Sequence, residues 1–175
     1  MNKKASIFLV GPMGAGKTTV GKRLGETLAL EFIDSDHEIE LRTGVDIPYI
    51  FEKEGEPGFR RREKAVIADL TLRSGIVLAT GGGSVLDPDN RQCLAGRGFV
   101  VYLHASVDQQ LARTARSDNR PLLKNSANRR EVLETLFSQR DPLYREIADL
   151  VLDTDERSAK ALVKEIQDRL ADPDD

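Results

Sequence analysis

The segment that most constrains this chain is the run of eight residues at positions 11–18. It reads Gly-Pro-Met-Gly-Ala-Gly-Lys-Thr and matches the pattern G-x-x-x-x-G-K-[ST]. An apolar run precedes it, and apolar residues at helical spacing follow it at Val20, Leu24 and Leu28. Backbone N–H groups of such a loop and the positive end of the next helix converge on phosphate oxygens. A glycine-rich turn that precedes Lys-Thr by chance would not need this strand–loop–helix context, so the segment predicts a phosphate-binding loop.

The rest of the chain alternates short apolar runs with longer amphipathic stretches. Candidate strands cover residues 6–10, 31–34, 76–80, 99–103 and 149–153, and helical spacing fills the segments between them. The middle three runs are apolar almost throughout, which is typical of strands buried on both faces. The pattern therefore predicts an α/β domain with right-handed βαβ crossovers, a parallel sheet and helices on both of its faces.

The composition fits a single globular domain spanning residues 1–175. Hydrophobic residues make up 39% and charged residues 31% of the chain, and the formal net charge is −3. That charge argues against a nucleic-acid binder, which usually has a basic domain. No apolar run approaches the roughly 18 residues of a membrane span, and the short run near the amino terminus predicts a strand rather than a signal peptide. The single cysteine, Cys93, favours a reducing compartment, so we expect a cytoplasmic protein.

Two side chains of the loop carry the chemistry of nucleotide binding. Lys17 can reach the β- and γ-phosphates, and the Thr18 hydroxyl can ligate Mg²⁺. The tetrapeptide Asn-Lys-x-Asp, which binds guanine in GTPases, does not occur in the sequence. The chain is also short for a motor or a large ATPase. A compact kinase, whose other residues hold the phosphoryl acceptor, is the remaining interpretation.

Two carboxylates, in the sequence Asp34-Ser35-Asp36, follow the second candidate strand. Ligands of open parallel sheets lie beyond the carboxyl ends of the strands, so this edge is shared with the phosphate-binding loop. We expect Asp34 to hold Mg²⁺ through water. We expect Asp36 to accept a hydrogen bond from the acceptor hydroxyl, and removal of its proton is a further role open to it. The alternative is that Ser35 or Asp36 caps the next helix.

A glycine run and an arginine-rich helix mark the acceptor side. Gly81, Gly82 and Gly83 follow the third strand, and three consecutive glycines would let a ligand ring lie against the main chain. Arg60-Arg61-Arg62 lies in a helix that opens after Pro57, where proline suits a first turn. Successive helical residues are about 100° apart, so at most two of these arginines face a pocket, and we choose Arg60.

Three further features lie in the second half of the chain. Residues 113–128 are polar and predict a lid, in which Arg120 could close on the transferring phosphoryl group. Arg140 precedes Asp141-Pro142, and Pro142 is expected to stop its helix. Residues 172–175 are acidic and predict a frayed tail. Taken singly, each of these arginines is more often a surface residue than a catalytic one.

Together these motifs resemble the shikimate kinase family over residues 7–157. The phosphate-binding loop, Asp34-Ser35-Asp36, Phe59-Arg60, the three glycines, Arg120-Pro121-Leu122-Leu123 and Arg140-Asp141-Pro142-Leu143-Tyr144 occur in that family's order and spacing. The resemblance implies a P-loop fold similar to nucleoside monophosphate kinases, with a five-stranded parallel sheet and a closing lid. It also implies transfer of the γ-phosphoryl group of ATP to the 3-hydroxyl of shikimate, on the pathway to chorismate and the aromatic amino acids. Such a protein is expected to be a monomer that uses Mg²⁺ and binds neither nucleic acid nor a membrane.

The resemblance also implies roles for individual residues. The nucleotide contacts it implies are Gly14, Ala15, Gly16, Lys17, Thr18, Thr19, Arg113, Arg120 and Arg157, with Arg113 and Arg157 near the adenine. Thr18 and Asp34 would serve Mg²⁺. Asp36 would take the shikimate hydroxyls, Arg60 and Arg140 its carboxylate, and the main chain of Gly81, Gly82 and Gly83 its ring. The catalytic residues would be Lys17, Asp36 and Arg120. One carboxylate suits the planar fork of arginine, and vicinal hydroxyls suit an acidic acceptor.

Two other functions fit parts of the pattern. A gluconate-type kinase shares the phosphate-binding loop and an early acidic pair, but is not expected to combine the three glycines with Arg60 and Arg140. A shikimate-sensing regulator would keep the pocket without turnover. The presence of Lys17, Asp34 and Arg120 argues against a regulator, as does the lack of a DNA-binding segment.

Overall fold

The computed structural model describes residues 5–115 and 128–172. Within these ranges the strands are β1 Ile7–Val10, β2 Glu31–Asp34, β3 Ile76–Ala79, β4 Phe99–His104 and β5 Leu150–Asp153. The helices are α1 Lys17–Leu28, α2 Ser35–Thr43, α3 Ile47–Leu70, α4 Pro88–Arg97, α5 Val107–Thr114, α6 Arg129–Ile147 and α7 Ala159–Ala171, and a 3₁₀ turn covers Ser84–Leu86. Each predicted strand is confirmed to within one residue at either end.

The five strands form one parallel sheet in the order β2-β3-β1-β4-β5. In the register, Leu9 of β1 lies opposite Ala79 of β3, and Asp34 at the end of β2 lies opposite the same Ala79. The segments that follow β2, β3 and β1 therefore emerge side by side at the carboxyl edge of the sheet. This arrangement confirms the predicted α/β P-loop architecture.

Two apolar layers enclose the sheet, one on each face. Alternate residues of β1 divide between them, since Phe8 and Val10 join one layer and Ile7 and Leu9 the other. The first layer is completed by apolar side chains of α2, α3, α4 and α6. The second is completed by those of α1 and α7. Helices cover both faces, as the alternation of strands and helices predicted.

The expected burial of the second strand on both faces is wrong. β2 pairs only with β3 and is an edge strand of the described sheet. Glu31 is exposed, while Phe32 and Asp34 are partly buried. The fully buried strand that the prediction overlooked is β1, because it is the central strand of the sheet.

The expectation that Pro142 ends its helix is also wrong. α6 runs through Pro142 to Ile147. Proline removes one helical hydrogen bond and crowds the preceding turn. The turn after it carries the buried side chains Tyr144 and Ile147, which pack into the first apolar layer. Burial of these two residues offsets the local cost and continues the helix.

α3 consists of two helical segments that meet at Gly55, whose φ of 71° and ψ of −178° are not helical. Pro57 therefore lies in the first turn of the second segment, the position that the sequence predicted for it. The second segment carries Arg60, and its apolar residues Phe59, Val66 and Leu70 pack into the first apolar layer.

The predicted lid falls largely outside the described residues. Arg113 and Thr114 belong to α5, Asn128 caps α6, and residues 116–127, which include Arg120, are not described. Of the predicted tail, only Asp172 is described. In the described part of the chain, no helix combines the length and the apolar character needed to cross a membrane.

Candidate active site

Glycines shape the loop between β1 and α1. Gly11, Gly14 and Gly16 have φ values of 148°, 79° and 89°, a region that side-chain-bearing residues rarely adopt. A Cβ atom on Gly11 would also lie 2.4 Å from the carbonyl oxygen of Leu103. The left-handed Gly16 then precedes the first residue of α1, Lys17, so the helix begins inside the loop. Backbone N–H groups at the start of a helix form a natural site for phosphate oxygens.

Two cations lie on this loop. Lys17 Nζ donates hydrogen bonds to the carbonyl oxygens of Gly11 at 2.7 Å and of Pro12 at 2.8 Å. Arg113 of α5 donates from Nη1 to the carbonyl oxygen of Gly14 at 3.0 Å. The loop, Arg113 and the residues at the ends of β2 and β3 line an open cleft of about 210 Å³.

The two carboxylate oxygens of Asp34 have different partners. Oδ1 accepts from the backbone N–H groups of Asp36 at 2.9 Å and His37 at 3.2 Å, so Asp34 is the N-terminal cap of α2. Oδ2 accepts from the Thr18 hydroxyl at 3.4 Å and faces the cleft. The alternative that Ser35 or Asp36 caps this helix is therefore wrong, although the capping role itself exists one residue earlier.

Oxygen donors on a polar cleft suit Mg²⁺, which keeps several waters and uses few protein ligands. Thr18 and Asp34 present such a donor pair beside the phosphate-binding loop. Among the described residues, no group of three histidine, cysteine, aspartate or glutamate side chains could hold a metal ion. The pair fits an ion whose remaining ligands are water and phosphate oxygens.

The three glycines form a turn that two hydroxyl groups anchor. The N–H and the hydroxyl of Thr80 both donate to the carbonyl oxygen of Leu9, at 3.1 and 3.2 Å, which joins the end of β3 to β1. The N–H of Gly81 donates to the buried hydroxyl of Ser35 at 3.1 Å. The turn is thus fixed between the phosphate-binding loop and the start of α2.

Charged side chains approach the glycine turn closely, and a side chain at Gly81 or Gly83 would displace them. A Cβ atom on Gly81 would lie 2.8 Å from Asp36 Oδ1, and one on Gly83 would lie 2.4 Å from Arg60 Nη2. A Cβ atom on Gly82 would lie 3.4 Å from Arg140 Nη1. The structure therefore brings Asp36, Arg60 and Arg140 together around one stretch of main chain, although they come from three separate segments.

Of the three consecutive arginines, only Arg60 points toward this turn. Its Nη1 donates to Glu63 Oε1 at 2.9 Å and its Nη2 to Glu56 Oε1 at 3.1 Å. Burial lowers the pKa of Arg60, but the two carboxylates outweigh that effect and raise it overall. Arg61 and Arg62 are exposed, and Arg62 pairs with Glu54 on the surface.

Glu63 is a buried carboxyl group of the site that sequence reasoning missed. Only 1% of its surface is exposed, and Oε2 has no hydrogen-bond partner in the described structure. Burial, with a smaller contribution from the charge of Asp36, raises the pKa of Glu63 to about 7, although Arg60 opposes this. The available signal was its spacing, because Glu63 occupies the same helical face as Phe59, Val66 and Leu70.

Arg140 is the most deeply buried cation of the site, with 5% of its surface exposed. None of the ion pairs between described residues involves Arg140, and its Nε has no hydrogen-bond partner among them. Burial lowers the pKa of Arg140, and the nearby charge of Arg60 lowers it further. A buried guanidinium without a carboxylate is costly, so the position favours an anionic ligand.

Arg157 lies apart from this group. It follows β5 at the same edge of the sheet, but its Nη2 pairs with Glu165 of α7. A contact of Arg157 with the nucleotide stays a prediction.

Comparisons with known proteins point to one family. The sequence profile of the shikimate kinase family matches residues 13–171. A shikimate kinase of Pseudomonas syringae pv. tomato is 60% identical over 167 residues, which are 95% of this chain and 96% of that protein. A shikimate kinase of Shewanella denitrificans is 58% identical over 170 residues, 97% of this chain and 99% of that protein.

Solved structures give the same result. Shikimate kinase from Acinetobacter baumannii in complex with shikimate superposes with a TM-score of 0.95 and 51% identity, over 98% of this chain and 95% of that one. A gluconokinase from Sinorhizobium meliloti superposes with a TM-score of 0.58 at 18% identity, over 98% of this chain and 94% of that one. The second likeness concerns the fold alone.

Proposed function

The chain belongs to the shikimate kinase family, and we propose that its residues divide the family's reaction between a nucleotide side and an acceptor side of one cleft. The enzyme transfers the γ-phosphoryl group of ATP to the 3-hydroxyl of shikimate and releases ADP and shikimate 3-phosphate. The observation that carries the assignment of residues is the placement of Arg60 and Arg140 around the glycine turn, next to the phosphate-binding loop.

On the acceptor side, Arg60 and Arg140 bind the carboxylate of shikimate. Arg140 is buried without an ion-pair partner among the described residues, so a bound carboxylate would supply the charge that the protein leaves out. Two guanidinium groups can hold one carboxylate through several parallel hydrogen bonds. The ring of shikimate then lies against the main chain of Gly81, Gly82 and Gly83, where no side chain intervenes.

At the other end of the ring, Asp36 accepts hydrogen bonds from the hydroxyl groups. Its carboxylate lies over Gly81, at the same edge as the phosphate-binding loop. Asp36 thereby orients the 3-hydroxyl toward the γ-phosphoryl group and can take its proton as the new bond forms. This geometry supports a direct in-line transfer between two bound substrates.

On the nucleotide side, the backbone of Gly14, Ala15 and Gly16 and the side chains of Lys17, Thr18 and Thr19 hold the phosphates of ATP. Arg113 already lies on Gly14 and would flank the nucleotide, and Arg157 would contact it near the adenine. Arg120, on a lid of about residues 113–128, would close on the transferring phosphoryl group. Lys17 and Arg120 would stabilise the charge of the transition state.

The oxygen pair of Thr18 and Asp34 would hold Mg²⁺, in part through water. When bound, the ion would neutralise part of the negative charge of the phosphates. We further propose a monomer of one domain that works in the cytoplasm with ATP and shikimate as its only partners, in keeping with its net charge of −3 and its single cysteine.

The activity is tested by ADP release with shikimate, gluconate or nucleoside monophosphates as acceptors, with ATP and Mg²⁺ present. Shikimate alone should give saturable turnover and a product phosphorylated at the 3-hydroxyl. Turnover with gluconate alone would overturn the assignment in favour of the gluconate-type kinase. Binding of shikimate without turnover would favour the non-catalytic regulator.

A further inference from the structure

Tyr144 is a buried residue of the site to which neither the motif nor the proposed mechanism gives a role. It lies one helical turn after Arg140 on α6, and 2% of its surface is exposed. Its hydroxyl donates a hydrogen bond to the carbonyl oxygen of Gly82, the middle residue of the glycine turn. The same hydroxyl interacts with the guanidinium of Arg140.

The two contacts of this hydroxyl are chemically compatible. A guanidinium group can only donate hydrogen bonds, and a carbonyl oxygen can only accept them. A phenolic hydroxyl can accept from the guanidinium while it donates its own proton to the carbonyl. Burial raises the pKa of Tyr144, so the hydroxyl keeps that proton over the whole physiological range. A single oxygen atom therefore links the cation of α6 to the main chain of the glycine turn.

We propose that Tyr144 is a positioning residue for the acceptor site, which fixes the Arg140 guanidinium against Gly82 so that both face the carboxylated end of the acceptor. This inference rests on the proposed function of Arg140 and the glycine turn. Arg140 and Gly82 come from segments far apart in the sequence, and Arg140 Nη1 lies within 3.4 Å of the Cβ position of Gly82. Without the hydroxyl, the turn loses its hydrogen bond to α6, and the guanidinium loses its favourable interaction with the phenol oxygen.

A neighbouring tyrosine provides a matched control. Tyr102 of β4 is also fully buried, and its ring centroid lies 4.8 Å from that of Tyr144. Its hydroxyl donates to Asp141 Oδ1 at 2.6 Å. Tyr102→Phe and Tyr144→Phe each remove one oxygen atom from the same aromatic cluster, but only the oxygen of Tyr144 is hydrogen-bonded to Gly82.

The test compares steady-state kinetics and thermal melting of the wild-type enzyme, Tyr144→Phe and Tyr102→Phe. For Tyr144→Phe we expect the KM for shikimate to rise about tenfold, the effect of roughly one charged hydrogen bond, while the KM for ATP stays within about twofold. Shikimate should also raise the melting temperature of Tyr144→Phe less than that of the wild type. Tyr102→Phe should keep both KM values.

A double-mutant cycle separates positioning from general stability. If Tyr144 acts through Arg140, adding Tyr144→Phe to Arg140→Lys should change the KM for shikimate by much less than tenfold. Fully additive effects, an unchanged KM in Tyr144→Phe, or an equal rise in Tyr102→Phe would each overturn the inference. If Tyr144→Phe melts early, the assays are run in the cold with sucrose, which favours the folded state. A wild-type enzyme that does not phosphorylate shikimate would instead contradict the proposed function.

Discussion

Glu63 holds Arg60 with one carboxylate oxygen and keeps the other buried without a hydrogen-bond partner among the described residues. The first contact joins Arg60 Nη1 to Glu63 Oε1 at 2.9 Å, and only 1% of Glu63 is exposed. Glu63 holds Arg60 near the glycine turn, although burial raises the pKa of Glu63 to about 7 and so favours its protonated form. The charges of Asp36, Arg60 and Arg140 also affect the pKa of Glu63.

The first prediction concerns the pH dependence of stability. Burial raises the pKa of Glu63 from 4.5 to about 7, so the unfolded chain loses this proton at a lower pH than the folded protein does. The contribution of Glu63 is therefore fully present below about pH 4.5 and is lost as the pH rises to about 7. Relative to Glu63→Gln, which mimics the protonated group, the wild type should lose on the order of 3 kcal/mol of unfolding free energy over this range.

Urea unfolding of both proteins at several pH values measures this difference. Glu56→Gln, which removes the exposed carboxylate from the same arginine, controls for the loss of an ion pair to Arg60. A wild type that gains stability over Glu63→Gln between pH 4.5 and 7 would contradict the prediction.

Arg60→Lys should weaken shikimate binding more than it slows turnover. Lysine keeps the charge but loses the planar fork that can hold a carboxylate through two parallel hydrogen bonds. We expect the KM for shikimate to rise by about 10- to 100-fold, as for the loss of a charged hydrogen bond. Arg61→Lys, one residue further on the exposed side of the helix, is the control and should leave the KM unchanged. An unchanged KM in Arg60→Lys would remove this residue from the site.

Two substitutions separate the two roles of Asp34. Asp34→Asn keeps an oxygen that can cap α2 but removes the charge that faces Thr18. The variant should keep the wild-type stability. Its maximal kcat should be lower, and a higher Mg²⁺ concentration should be needed to reach it. Asp34→Ala should lose the cap as well and be destabilised by a further ~1 kcal/mol. Urea unfolding and titration of kcat with Mg²⁺ measure the two effects, and an Asn variant with wild-type Mg²⁺ dependence would count against the metal role.

Arg120→Ala should lower kcat, by up to ~10³-fold if the guanidinium contacts the transition state. The matched control is Arg130→Ala on the exposed side of α6, where the arginine pairs only with Asp108 among the acidic side chains of the described structure. Steady-state kinetics with both substrates measure the change. An effect confined to KM would make Arg120 a binding residue without a catalytic role.

Gly83→Ala should disturb the acceptor site and leave the nucleotide side unaffected. Its methyl group would lie 2.4 Å from Arg60 Nη2, so the guanidinium must move away from the turn. We expect the KM for shikimate to rise several-fold, with the KM for ATP unchanged. Gly96→Ala is the control. No atom outside the neighbouring turns of α4 lies within 4 Å of its Cβ position, so it should stabilise the protein by about 0.5–1 kcal/mol. Equal KM values in both variants would show that the turn tolerates a side chain.

Local patterns predicted the elements of this fold well. The five strands, the phosphate-binding loop and the first-turn position of Pro57 each depend on a few consecutive residues, whose periodicity and backbone preferences act at short range. The same reasoning failed at Pro142, because burial of Tyr144 and Ile147 in the next turn outweighed the local preference of proline.

The sequence by itself determined which segments become strands and helices, which loop takes phosphate, and which arginines and carboxylates are available. Only the tertiary structure decided that β3 lies between β1 and β2, which brings the glycine turn beside the phosphate-binding loop. It also decided that Glu63 supports Arg60 and that Tyr144 joins Arg140 to Gly82. Side-chain spacing encodes the buried face of each element, whereas strand order and contacts between distant segments depend on how those faces pack together.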